Sequence, residues 1–290
     1  MSRLQSKFAS PSASAVAEKD AAEFMGDTTP PWDFLRQPGQ VLTTAIHAGH
    51  SIRPEILPWL EIDPEDRLRE EDPMTDYFLG VGDSTVRGNR SRFEFDLNRP
   101  QEKAISTDPK DQWGLTVWNE SLPEEQIEKS KRLHDKFYQM IQSHCDVMIA
   151  RFGRIFVLDI HSYNHRRDGP EADAAPLQDN PDIDLGATTM NHDIYGDLLA
   201  RFGKTLQSVP VCGRSPSVAV NKRWEDGGNF PEWLHSLYGD AACVITLEYK
   251  KSFMDEWTGQ VDILALQHLR DGLARAVQVA RTCLNEMEDT

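Results

Sequence analysis

The sequence predicts an α/β protein with a mostly parallel sheet covered by helices on both faces. Three observations carry this. Short apolar runs between turn signals read as buried strands. Segments of helical period stand between them, and strands alternating with helices imply parallel crossovers that cover both sheet faces. Two histidines, His47 and His161, fall just past the ends of two such strands, where open sheets of this kind place their ligands.

Along the chain, residues 1–40 form an extension rich in Ser, Ala and Pro, and 41–290 read as one catalytic domain. Val41-Leu-Thr-Thr-Ala-Ile is the first core strand. Residues 51–72 are charged, carry prolines at 54, 58 and 64, and read as loop. Asp72-Pro73 has the pattern of an N-cap followed by proline at the first helical position, predicting a helix that stops near Gly80 and Gly82. The alternation over 91–97 predicts a strand ending at Asn98-Arg99-Pro100. Apolar residues recur at helical spacing from 123 to about 152 and feed the strand ending at His161. Residues 164–183 are a long loop, of the kind usually functional or disordered. A helix over 193–202, short strands at 209–212 and 217–220, a strand at 243–247 and a closing helix over 261–287 complete the reading.

Composition narrows the function. The 290 residues include 31 Lys and Arg against 47 Asp and Glu, a formal net charge of −16. That sign argues against nucleic acid or a membrane surface as partner, and it makes local basic residues informative. Hydrophobic content of 39% with 27% charged residues is that of a soluble globular domain. No stretch is long enough to span a bilayer, and the first residues lack the apolar core of a secretory signal. Cys145, Cys212, Cys243 and Cys283 are scattered, which predicts reduced thiols in a cytoplasmic enzyme rather than a zinc knuckle or disulfide framework.

The chemistry-bearing residues form four islands: His47-Ala-Gly-His50, Ser91-Arg92 through Asn98-Arg99-Pro100, Leu158-Asp-Ile-His161-Ser-Tyr163-Asn, and Thr246-Leu-Glu248. His47 and His161, at equivalent strand ends, are candidate metal ligands; a catalytic zinc takes three protein ligands and keeps a fourth position open. Asp72 is the preferred third ligand, Glu71 the next, and His50 is also close in sequence. Arg92 and Arg99 offer rigid forks for a carboxylate and Asn98 a neutral donor. Glu248, ending an apolar strand, is a candidate general base.

These residues resemble the zinc carboxypeptidase superfamily and, more closely, the N-formylglutamate amidohydrolase family. The similarity runs over about residues 41–290 through His47-Ala-Gly, Asp72, Ser91-Arg92, Asp96-Leu-Asn-Arg-Pro100, His161, Asn221 with Gly227-Gly228, and Glu248. It implies a three-layer α/β/α sandwich around a mostly parallel mixed sheet, with one Zn2+ per chain bound by His47, Asp72 and His161. It also implies hydrolysis of the amide of an N-acylated acidic amino acid, N-formyl-L-glutamate giving formate and L-glutamate in the named case, within histidine catabolism. Glu248 is the implied proton carrier and Arg92 the oxyanion partner. Asn98, Arg99, Tyr163 and Asn221 are the implied substrate contacts. Arg166, Lys222 and Arg223 are unranked candidates for the second substrate carboxylate. Carboxypeptidases place an acid three residues after the first histidine, where this chain has His50. The alternative readings are a zinc carboxypeptidase for short peptides and a metal-free protein that captures acidic ligands.

Overall fold

A computed structural model of the chain describes residues 29–119, 122–224 and 227–288. Seven strands form one sheet: β1 (Trp32–Leu35), β2 (Val41–Ala45), β3 (Ser84–Gly88), β4 (Ile155–Tyr163), β5 (Ile183–Gly186), β6 (Val218–Val220) and β7 (Ala242–Lys250). Their spatial order is β1-β3-β2-β4-β7-β5-β6. The pairs β2–β3, β2–β4, β4–β7 and β5–β6 are parallel, while β1–β3 and β5–β7 are antiparallel. The sheet is therefore mixed and mostly parallel, as the alternation of elements implies.

Among the described residues five α-helices accompany the sheet: α1 (Pro64–Glu70), α2 (Glu124–Phe152), α3 (His192–Ser208), α4 (Asn229–Tyr238) and α5 (Ile263–Glu288). Strand parity sorts the core into two layers. Phe156, Leu158 and Ile160 of β4 and Cys243, Ile245 and Leu247 of β7 pack with Leu198 and Phe202 of α3 and Leu269 and Leu273 of α5. Ile155 and Val157 of β4 and Val244 of β7 pack the other way, with Phe137 and Ile141 of α2 and Phe230 and Leu234 of α4. A satellite cluster of Ile52, Ile56, Phe93 and Trp118 lies outside both.

Several local expectations are corrected. Part of the extension is built into the sheet, because Trp32 and Phe34 alternate onto the α2 layer as edge strand β1; residues 1–28 lie outside the described region. The stretch 51–72 holds a 3-10 helix, Pro54–Trp59, and α1, whose N-cap Asp63 accepts a hydrogen bond from the Glu65 N–H at 2.9 Å. The Asp-Pro cap pattern is thus used at 63–64 and not at 72–73. After Asp72 the chain passes through Met74 in the left-handed region (φ 68) into a 3-10 helix, Thr75–Val81. Residues 91–97 are turns, and the strand is the preceding Ser84–Gly88. Residues 209–212 contain only an isolated bridge from Val211 to Arg214. Helix α3 runs further than expected, to Ser208, and α4 was not anticipated.

All four cysteines are free, with Cys212 exposed and the others buried. Among the described residues no helix is long and apolar enough to cross a membrane.

Candidate metal centre

The odd-numbered positions of β4 carry the core face of α2 and α4 up to Val157, and then polar groups at Asp159 and His161. The register pairs His161 with Glu248 of β7, and Thr44 of β2 with Asp159. Three adjacent parallel strands thus deliver His47 (two residues past β2), His161 and Glu248 to one carboxyl edge. Asp72 arrives from the loop after α1, held by its N–H donating to the His47 carbonyl at 3.0 Å.

One ligand atom each from His47, Asp72 and His161 fall within 4.8 Å of one another, and all three residues are buried. His161 Nδ1 lies 3.0 Å from Asp72 Oδ2, and His47 Nδ1 lies 3.5 Å from the same oxygen. The outer nitrogens are held by carboxylates: His47 Nε2 to Asp96 Oδ1 and His161 Nε2 to Asp159 Oδ2, both at 2.7 Å. That arrangement makes each Nε2 a donor and turns both Nδ1 lone pairs inward, the usual support of metal-bound imidazoles. His47 Nδ1 is fully buried and without a hydrogen-bond partner. A buried acceptor left bare is costly, and a cation at the centre removes the cost. Two imidazoles and one carboxylate suit zinc with a fourth position open, so the residues present fit the metal.

Electrostatics point the same way. Burial opposes the charged form of Asp72, but the neighbouring imidazoles of His161 and His47 outweigh it and hold the carboxyl below its usual range. Burial likewise opposes a charged His161, yet the carboxylates of Asp159 and Asp72 raise its pKa well above the ordinary value. The site attracts positive charge.

The alternative ligands point elsewhere. Glu71 is buried but pairs with His50 Nδ1, and His50 Nε2 is 2.9 Å from Arg67 Nη2.

Around the cluster is a cavity of about 380 Å3 lined by His47, Asp72, Arg92, Asn98, Arg99, His161, Tyr163, Arg223, Gly228 and Glu248, among others. Burial pushes the Glu248 carboxyl up to about 7; Asp72 and Asp159 add to the rise, while His161 and Arg92 oppose it. Arg92 Nε and Nη2 donate to Asp96 Oδ2 at 3.1 and 2.9 Å, and Arg99 Nε is 3.4 Å from the same oxygen. Burial works against the ionised form of Asp96 too, but Arg92 and His47 keep its pKa well below the ordinary value. Both guanidinium groups lie over Trp113, at 4.7 and 5.2 Å from its ring centre.

Of the remaining candidates, Asn98 lines the cavity while clamping its wall. Its Oδ1 accepts from the Phe230 N–H at 3.0 Å, capping α4, and its Nδ2 donates to the Gly227 carbonyl at 3.3 Å. This explains the glycine pair: a Cβ on Gly228 (φ +97) would stand 2.3 Å from Asn98 Nδ2. Tyr163 presents its ring to the cavity and donates its hydroxyl to the Pro181 carbonyl. Asn221 is not among the lining residues; its Oδ1 accepts from the Ala187 N–H at 2.8 Å. Arg223 lines the cavity, whereas Lys222 pairs outside it with Asp179 at 3.1 Å. Arg166 belongs to a separate cavity of about 720 Å3, lined in part by residues 174–177, that includes none of His47, Asp72 and His161.

Sequence reasoning assigned no role to Asp96, Asp159, Trp113, Arg167 or Lys251. Asp96 and Asp159 stand inside the quoted motifs, and the rule that each ligating histidine needs an outer acceptor would have singled them out.

Fold and cluster together define an α/β protein with a candidate metal centre at the carboxyl edge of its sheet. Residues 39–253 match the sequence model of N-formylglutamate amidohydrolase, and the chain belongs to that family. Among solved structures, an N-formylglutamate amidohydrolase from Ralstonia eutropha aligns with a TM-score of 0.69 at 14% identity, over 90% of this chain and 99% of that chain. A gene product from Agrobacterium tumefaciens aligns with a TM-score of 0.63 at 16% identity, over 90% and 97%. Both share the fold. A search of curated proteins gave no significant match.

Proposed function

We propose that the protein is a zinc-dependent amidohydrolase that cleaves N-acylated acidic amino acids, with N-formyl-L-glutamate and water giving formate and L-glutamate. The observation that carries this is the convergence of two carboxylate-backed imidazole Nδ1 atoms and Asp72 beside Glu248, in a cavity rich in arginine. His47, Asp72 and His161 would hold the metal, which when bound supplies Lewis-acid polarisation of the scissile carbonyl.

The chain's own groups do the rest. Glu248, with a pKa near neutrality, takes a proton from the attacking water and returns it to the departing amine nitrogen. The new C–O bond forms first, placing charge on the carbonyl oxygen; the C–N bond then breaks as the carbonyl re-forms and the nitrogen takes the proton, releasing formate and the amino acid. Arg92, fixed in plane by Asp96, faces the charge that develops on the carbonyl oxygen. Arg99 holds the α-carboxylate and so orients the amide.

The test is formate release from N-formyl-L-glutamate by purified protein, with and without a chelator and with zinc added back. Chelator-sensitive turnover restored by zinc supports the reading. No turnover by zinc-loaded protein overturns the substrate assignment.

A further inference from the structure

We propose that Arg223 is the specificity-determining cation of this site. It binds the side-chain carboxylate of the substrate and selects dianionic N-acyl amino acids over neutral ones. The inference rests on the reading of the cavity as one for N-acyl amino acids.

Five cations line the cavity, and four already have partners. Arg92 and Arg99 share Asp96. Arg167 pairs with the buried Glu70 at 3.3 Å. Lys251 donates to the Arg69 and Glu71 carbonyls and to Asn164 Oδ1. Arg223 differs. Among the described residues its guanidinium has no carboxylate partner; Nη1 donates to the neutral Asn180 Oδ1, and Nε is buried with no partner at all. In a chain of net charge −16, a half-buried guanidinium without a carboxylate is a conspicuous economy of pairing.

The site around it is built. The guanidinium lies 4.4 Å from the centre of the Tyr163 ring and 5.4 Å from that of Trp224. The aromatic faces hold the guanidinium in place, and Nη2, which no described residue engages, is left to donate to a carboxylate. The backbone is fixed as well. Asn221 turns in the left-handed region (φ 53), and the Lys222 and Arg223 N–H groups then donate to Asp184, the latter at 2.6 Å. Asp184 is the register partner of Glu248 across β5 and β7, and Tyr163 lies two residues beyond His161 on β4. The loop bearing Arg223 is therefore tied to β5, the neighbour of the Glu248 strand, and packs on the end of the His161 strand.

A carboxylate supplied by the substrate completes this arrangement. A neutral amide in its place forfeits charge-assisted bonds and leaves the cation unpaired.

The experiment compares wild type, Arg223→Gln and Arg223→Lys on N-formyl-L-glutamate and N-formyl-L-glutamine by steady-state kinetics. In parallel, calorimetry measures binding of both compounds to zinc-loaded protein carrying Glu248→Gln, with and without the Arg223 changes. The expected result is a preference for the glutamate compound that falls roughly 10- to 100-fold in Arg223→Gln, the range for bonds to charged groups. The loss should sit mainly in KM and be partly recovered by Arg223→Lys, with Tm unchanged. A wild type that treats the two compounds alike overturns the proposal, as does a loss equal for both. If wild type hydrolyses neither, binding decides. Glutamate-selective binding that Arg223→Gln abolishes sustains Arg223 and removes only the assigned reaction, whereas absent or insensitive binding removes Arg223 as well.

Discussion

Asp96→Asn isolates what one buried carboxylate does for this site. Oδ1 accepts from His47 Nε2 at 2.7 Å and from the Asn98 N–H at 2.9 Å; Oδ2 accepts from Arg92 Nε and Nη2 at 3.1 and 2.9 Å. Asparagine can keep the first pair but sets its own N–H donors against those of Arg92. Two charge-assisted bonds are lost, each typically about 1.5–3 kcal/mol. The Arg92 side chain keeps 15% of its surface in water, which recovers part of the loss, so unfolding free energy should fall by about 2–4 kcal/mol, or about 5–15 °C in Tm. His47 loses its anionic support at the same time, and weakening such a partner typically costs about 10- to 100-fold in metal affinity. Denaturant unfolding of metal-free protein reads the first quantity, and competition against a chromophoric chelator reads the second. The reasoning fails if stability moves by less than about 0.5 kcal/mol, the usual scatter for surface substitutions, and metal affinity is unchanged.

Other outcomes follow from the same contacts. Glu248→Gln should reduce kcat by about 10²- to 10⁴-fold, the usual share of general acid–base catalysis, while equilibrium dialysis finds zinc still bound; undiminished turnover would remove Glu248 from the proton-transfer role. Lys251→Met strips donors from the Arg69 and Glu71 carbonyls and Asn164 Oδ1. With buried acceptors costing about 1–3 kcal/mol each, the urea midpoint should drop sharply, and a wild-type midpoint would contradict the geometry. Burial opposes ionisation of Asp182, yet the Arg214 and Ser217 hydrogen bonds lower its pKa. Its contribution is present above the unfolded carboxyl pKa and lost as pH falls through the depressed folded value. Arg214→Ala should therefore destabilise the protein at pH 6 and lose that effect in acid; a gap independent of pH would argue against the linkage.

What the sequence disclosed depended on the length over which a signal repeats. β4, β7, α2 and α5 were legible because the uninterrupted apolar runs 155–158 and 242–245 and sustained helical spacing leave little choice. β1, β3 and β5 span four or five residues, too few for a period to stand out. Residues 91–97 misled for a physical reason: their alternation separates apolar from charged residues, but the charged ones are not facing solvent. Glu94 is buried against Arg53, and Asp96 against Arg92, while Phe93 and Phe95 enter different clusters. At the site, strand-end histidines could be read from position alone. The sequence favours Asp72 over Glu71, and the tertiary contact in which Glu71 turns to His50 supplies a physical reason for that order. Ranking Arg223 required knowing which cations were already paired, which no local pattern contains.

The nine aligned pairs between β4 and β7 also limit how this family member can change in length. Inserting or deleting one residue within either strand would exchange its two faces, sending Asp159 and His161, or Glu248, into the apolar layer beneath α3 and α5 and bringing apolar side chains to the candidate metal centre. No compensating side-chain substitution repairs an error of parity. Growth and shrinkage of the chain are therefore confined to segments with no register to keep, such as residues 164–182, which border the cavity through Asn164 and Arg167. The reacting groups stay fixed while the wall beside them is free to vary, so new substrates can be tried without disturbing the chemistry.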